Sequence, residues 1–365
     1  VIGSASAFIE STLAQVYKTK DGKDFRGGPS YYMEKALGKR WMGVLFSVLL
    51  IICFAYGFNG LQSYNMSSAL EYYIPGYSES SYPMIVGLIL AVGTGLIIFG
   101  GVHRIGFITS VMVPIMAGAY LLMGLFTIVT HLPQLPGIFA MILSEAFDFQ
   151  AIFGGMAGSA VVIGIKRGLF SNEAGMGSAP NAAASASVSH PAKQGMVQVI
   201  SVFIDTLLIC SATAMMLLLS GVQGEAGVLD GIPFVQKAIS ANVGTWGIHF
   251  ITASIFAFAF SSLIGNYYYA ESNILFIKNN KVLLFVFRCT CLLAVFLGAQ
   301  ADFSLVWNLA DITMGCMAIV NIIAILLLGN IALKVLKDYE TQKKAGKNPV
   351  FKAENVGIKN TDCWK

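Results

Sequence analysis

The chain has 365 residues, of which 56% are hydrophobic and 12% charged, with a mean hydropathy of +0.71; soluble domains carry about 25% charged residues. That balance excludes a soluble globular protein and predicts an all-α polytopic membrane protein. The net charge of +4 is spread over the flanks of apolar segments instead of forming one patch, which argues against nucleic acid as a partner.

A bilayer core about 30 Å thick takes roughly 20 apolar helical residues. By that measure nine spans are predicted, near residues 1–17, 42–70, 83–101, 105–130, 151–187, 195–220, 246–277, 282–299 and 303–335. The first begins at Val1 inside an apolar stretch with neither an initiator Met nor a signal-peptide pattern, so more of this region is expected upstream. Six cysteines are present, five of them in hydrophobic segments and none in a CxxC pair. They read as packing residues.

Lys and Arg collect on the cytoplasmic side of membrane proteins. The loop at 18–40 carries seven of them, and alternation puts Arg104, Lys193, Lys278, Lys281 and the basic tail on the same side, while the opposite loops hold only Lys237. The C-terminus is therefore expected in the cytoplasm. Beyond Asp338 the tail is polar with little periodicity, which predicts a flexible segment. No disordered linker divides the chain, so a single membrane domain is expected, with 1–130 and 151–335 as its two parts and 336–365 as the tail.

The first span contains Glu10 in the frame Phe8-Ile9-Glu10-Ser11-Thr12-Leu13, and the sixth contains Asp205 in Phe203-Ile204-Asp205-Thr206-Leu207. Intramembrane acids either pair with a basic residue near the cytoplasmic end or relay protons. The echo is either the trace of an inverted repeat or a coincidence. In the second span Phe58, Gln62 and Asn65 share one helix face. They either offer an aromatic lid and two amides to a small zwitterion or bond between helices.

Residues 164–187, GIKRGLFSNEAGMGSAPNAAASAS, put charges, glycines and small residues where an apolar span should continue. The pattern predicts a helix broken inside the membrane, with 151–165 leading in, 174–188 leading out, and Lys166, Arg167, Gly168, Ser171, Asn172 and Glu173 between. Irregular backbone at this depth is tolerated only where it is buried in protein or lines a cavity. The backbone at Ile163, Gly164, Ile165 and Gly168 is expected to contact ligand, while Lys166, Arg167 and Glu173 pair with one another as struts.

Farther on, the Phe258 carbonyl with Ser261 and Ser262 supplies hard oxygen donors suited to a small cation, or the hydroxyls bond back to their own helix. Trp307 and Asp311 lie one turn apart in the last span. Asp311 is a functional candidate, or it is hydrated near the outer interface.

The segments FIESTLAQVYK (8–18), FRGGPSYYMEKALG (25–38), KRGLFSNEAGMGSAPNAAA (166–184) and NPVFKAENVGIKNTDCW (348–364) resemble the alanine or glycine:cation symporter family, over essentially the whole chain. The resemblance implies a leucine-transporter-like inverted-repeat fold whose first broken helix lies outside this sequence. It also implies uptake of alanine or glycine driven by Na+, or by protons in some members. Alanine or glycine, Na+ and the lipid bilayer are then the partners, with no obligatory protein partner and no cofactor beyond Na+ as coupling ion. Phe58, Gln62 and residues 163–168 would face substrate, and Phe258, Ser261 and Ser262 would hold Na+. Where many members have tryptophan before three tyrosines this chain has Asn266, which bears on pocket size. A proton-coupled permease and a channel are the alternatives. No HExxH, GxSxG or paired catalytic acids indicate an enzyme.

Overall fold

The computed structural model describes residues 2–22, 24–100, 102–147, 156–224 and 230–364; residues 151–155, expected to begin the broken helix, lie outside this set. Most of the described residues are helical. Helices α1 (Ile2–Val16) and α2 (Pro29–Lys35) flank a hairpin of β1 (Thr19–Asp21) and β2 (Asp24–Arg26). Then come α3 (Arg40–Ser68), α4 (Tyr82–Ile98), α5 (Val102–Thr130) and α6 (Leu135–Ala146). The interrupted pair α7 (Met156–Asn172) and α8 (Ala179–Ser185) is followed by α9 (Pro191–Leu218), α10 (Gly231–Val243), α11 (Trp246–Ile277), α12 (Lys281–Gly298) and α13 (Phe303–Lys344).

Six helices, α3, α5, α9, α11, α12 and α13, are long and apolar enough to cross a membrane. The chain is therefore a multi-pass membrane protein, and its outward Leu96, Leu122 and Leu326 need no polar cover. The other expected spans are α1 and α4, which are shorter, and the α7–α8 pair. Two helices widen to π geometry, α3 at Ile51–Phe58 and α9 at Ile204–Cys210. Such stretches re-aim the side chains that follow them, and no feature of the sequence announces them.

Local chemistry sets the helix starts. Pro29 opens α2 after Gly28, whose φ of 135° suits glycine and whose missing Cβ leaves room for the Asn181 amide. Asn280 caps α12 by accepting the N–H groups of Val282 and Leu283. One large core then joins α1, α2, α3, α11 and α13 around Phe46, Phe54, Tyr267 and Met314.

The tail does not follow the expectation of a flexible segment. Helix α13 continues to Lys344, Gly346 turns the chain at φ 72°, and the Gln342 side chain bonds both polar groups of the Val350 backbone. Phe351 and Trp364 are buried against one another, with ring centroids 5.4 Å apart. Two aromatic anchors in a polar stretch gave too little periodicity to register, but burying them outweighs the entropy of ordering the segment.

Helices α3 and α12 meet at Gly60 and Gly298, where a Cβ on Gly298 would fall inside the backbone of Gly60, while a Cβ on Gly60 would sit 3.8 Å from the Gly298 Cα. Gly298→Ala should therefore lower stability by about 1–3 kcal/mol, the usual cost of overpacking, and Gly60→Ala by clearly less. Thermal unfolding of the purified protein in detergent reads the difference; equal midpoints for the two variants would contradict this packing.

Candidate functional site

The helix is interrupted at 173–178. Three of these residues take left-handed backbone, Glu173 at φ 57°, Gly175 at 82° and Gly177 at 92°, and Asn172 Oδ1 accepts the Ala174 N–H at 3.0 Å to start the turn. The sequence places the break nearer 166–173, and this is a correction. Ile163, Gly164, Ile165, Lys166, Arg167 and Gly168 all lie within continuous α7, where two glycines cost only about 1 kcal/mol each. Ile163 and Ile165 are exposed. The residues that need left-handed freedom are in the Gly175-Met176-Gly177 run.

Buried polar side chains hold this break from one side. Glu10 is fully enclosed; one carboxyl oxygen accepts the Gly175 N–H at 3.0 Å and the other accepts the Asn321 amide at 2.7 Å. Asn321 also donates to the Gly175 carbonyl at 3.0 Å and accepts the Tyr32 hydroxyl. Both polar groups of the Gly175 backbone are thus taken. Glu10 has no cationic partner among the described residues, so the expected pairing with a basic residue is not seen. Glu173 does not pair with a base either; it accepts the Ser178 hydroxyl at 2.6 Å.

A second set of amides holds the start of α8. Asn181 donates to the carbonyls of Gly177 and Ser178, at 3.1 and 2.9 Å, and accepts from Asn273 of α11 at 3.0 Å. Ser30 and Ser47 complete the set by donating to Asn273 at 2.7 and 2.9 Å. At its other end, α8 leaves carbonyls without intrahelical partners. Gln15 donates to Ala183 and Ala186, at 2.5 and 2.9 Å, and the Lys18 ammonium to Ala186 at 2.9 Å, a cation placed favourably for the helix dipole.

On the α7 side, Lys166 and Arg167 both reach Asp311 of α13, Lys166 at 3.4 Å. They pair with Asp311 and not with Glu173, because their long side chains span the gap without unwinding the helix. The Arg167 guanidinium lies 4.1 Å over the Trp307 ring. Trp307 packs on Phe170, and Phe170 on Phe58, at 5.1 and 5.0 Å. Phe58 is therefore brought to the interrupted helix; the Gln62 side chain makes no hydrogen bond with a described residue. Asp205 accepts the Ser171 hydroxyl at 2.6 Å, so the two echoing acids, Glu10 and Asp205, both bond to the interrupted helix.

The Phe258 carbonyl accepts the hydroxyls of Ser261 and Ser262, at 2.8 and 2.9 Å. The three oxygens are gathered by one turn of α11, with both hydroxyl protons bonded to their own helix. Their residues lie roughly 16 to 22 Å along that helix from Asn273. Among the contributors to the break, Tyr32, Asn181, Asn273, Ser30, Ser47 and Gln15 are not marked in the sequence. Each is a common polar residue whose role comes from tertiary placement, although four amides and an acid in apolar frames were a usable signal.

The sequence profile described as the sodium:alanine symporter family matches residues 1–353. The amino-acid carrier protein AlsT of Bacillus subtilis is 48% identical over 365 residues, 100% of this chain and 77% of AlsT. A second Bacillus subtilis protein, named as the probable sodium/glutamine symporter GlnT, is also 48% identical, over 100% of this chain and 75% of its own. The sodium/alanine symporter AgcS of Methanococcus maripaludis is 34% identical over 95% of this chain and 77% of its own.

Asn321 is the shared element of the clamp on Gly175. Asn321→Ala should abolish amino-acid uptake and lower stability by about 1–3 kcal/mol for each buried group left unpaired. Uptake in proteoliposomes and thermal unfolding check this; a variant with native midpoint and native uptake would remove Asn321 from the site.

Proposed function

Since the chain belongs to the sodium:alanine symporter family, we propose that it moves a small neutral amino acid, alanine or glycine, together with Na+ across the cell membrane by alternating access. It is a transporter and not an enzyme. The observation that carries the reading is the interrupted helix at 173–178, whose unwound backbone is held in mid-bundle by Glu10, Asn321 and Asn181. Non-helical backbone inside a transporter marks the place where substrate and ion bind.

The proposed topology has nine spans, with α1, α3, α4 and α5 from a first repeat and α7–α8, α9, α11, α12 and α13 as a second, inverted repeat. The echo of Glu10 in α1 and Asp205 in α9, the latter following the interrupted pair directly, supports that relation. The face carrying the tail and the loop at 18–40 is the cytoplasmic one, by its Lys and Arg.

In this reading the substrate lies against the break and Phe58, with Gln62 free to take its charged ends, and the break takes over the role expected of residues 163–168. Na+ takes the oxygens of Phe258, Ser261 and Ser262, whose hydroxyl protons turn away from the carbonyl as the ion enters. Two gates flank the site. One is the Arg167–Asp311 pair with its Trp307–Phe170–Phe58 stack; the other is the Asn181–Asn273 contact. Both contacts are formed. Coupling follows if the amino acid and Na+ each bind the occluded state better than either open state.

Uptake of labelled alanine, glycine and glutamine into proteoliposomes, under a Na+ gradient, a proton gradient or none, tests the reading. Alanine or glycine should accumulate with Na+; accumulation of glutamine alone, or uptake indifferent to Na+, would contradict it. Ser262→Ala should raise the half-saturating Na+ concentration about tenfold, the equivalent of 1.4 kcal/mol of lost coordination. An unchanged Na+ dependence would remove Ser262 from the ion site.

A further inference from the structure

The folded tail bridges two groups of helices that meet at the Asn181–Asn273 contact. On one side it is rooted in buried structure. The Trp364 indole N–H donates to the Gln15 carbonyl at 2.7 Å, at the end of α1, and the Cys363 thiol lies 3.4 Å from the Lys18 carbonyl. The Phe351 N–H donates to the Ser189 carbonyl at 2.9 Å, and the Ser189 hydroxyl donates to Pro349 at 3.0 Å.

His190 is enclosed between the Tyr339 and Phe351 rings, each 5.2 Å away. Its Nδ1 accepts the Ala192 N–H and its Nε2 donates to Asp338 at 3.1 Å. Burial holds its pKa below the usual imidazole range, so the neutral ring makes both bonds.

On the other side the tail makes two polar contacts with α2 among the described residues. The Lys35 ammonium pairs with Asp362 at 2.7 Å, and the Asn360 amide donates to the Lys35 carbonyl at 3.1 Å. Asp362 is half exposed, and exposed pairs hold weakly. Helix α2 stands between the two groups: Tyr32 ties it to Asn321 of α13, while Ser30 bonds Asn273 and Tyr31 packs on Phe276, with rings 5.0 Å apart, on the opposite side.

We propose that residues 347–364 form a latch across the tail-side mouth of the transporter, anchored by buried groups on α1, α9 and α13 and fastened to α2 by the polar contacts at Lys35. The unequal strength of the two attachments decides which one parts: the Asp362 and Asn360 contacts release, and the buried Trp364 and Phe351 stay seated. The same relay links the latch to the site. Trp364 and Lys35 take carbonyls at the end of α1, at Gln15 and Tyr17, and Gln15 and Lys18 of that same helix end take the carbonyls of α8. The tail thus sets how easily the Asn181–Asn273 contact opens. The proposal rests on the alternating-access reading for its functional meaning, while its test needs no transport.

The test uses the full chain carrying Ser30→Cys, an isosteric reporter buried beside Asn273, and measures its rate of alkylation by a maleimide without substrate, residue by residue by mass spectrometry. Asp362→Lys, at an exposed position that leaves the fold intact, should raise the rate about threefold, the scale an exposed ion pair supports, and Asp362→Glu should leave it unchanged. A rate indifferent to Asp362→Lys, or raised equally by Asp362→Glu, would overturn the latch. A charge-dependent rate in a protein that fails the Na+ uptake assay would instead count against the symport reading alone.

Discussion

A carboxyl group enclosed on all sides in a membrane protein loses its hydration, and at Glu10 the replacement consists of one backbone N–H and one side-chain amide. Neutral donors recover part of what water supplied, but only in the right geometry. That geometry requires Gly175 in a left-handed conformation, Asn321 turned inward from α13 and Tyr32 reaching down from α2. The interruption between α7 and α8, the register of α1 against it and the seating of α2 all depend on this one arrangement. Leaving any member unpaired exposes the others to the same desolvation cost.

The two sides of the break are held by different physics. Toward Asp311 the ties are ionic and aromatic, with Arg167 and Lys166 sharing one carboxylate beneath Trp307. Toward the tail they are amide to amide, Asn181 to Asn273, with hydroxyls around them. Neutral amide contacts can exchange partners without moving net charge into lipid, whereas a separated Arg–Asp pair needs water or a new counterion. The two ties therefore have unequal dependence on hydration, and the tail lies on the side of the amide one.

Much of the fold was legible because apolar length is an unambiguous signal: the spans at 42–70, 246–277 and 282–299 correspond closely to α3, α11 and α12. The existence of a broken helix was legible as well, from glycines and charges where leucines should stand. Its position was not, because charge drew attention to Lys166 and Arg167. Long cationic side chains can leave a helix intact and find an acid elsewhere, while left-handed backbone has to be built from residues such as Gly175 and Gly177. The π stretches and the docked tail were illegible for a related reason. The docked tail depends on contacts hundreds of residues away, as between Trp364 and Gln15, the π stretch of α9 on bonds to another helix, as between Asp205 and Ser171, and no local period records them.

The central claim is that the clamped break organises a site where amino acid and Na+ stabilise each other's binding. Thermal unfolding of the purified protein with alanine added, in NaCl and in KCl, tests it most directly. Linkage predicts a clear rise in midpoint with alanine in NaCl and little or none in KCl. An equal rise in both salts, or none in NaCl, would contradict the account.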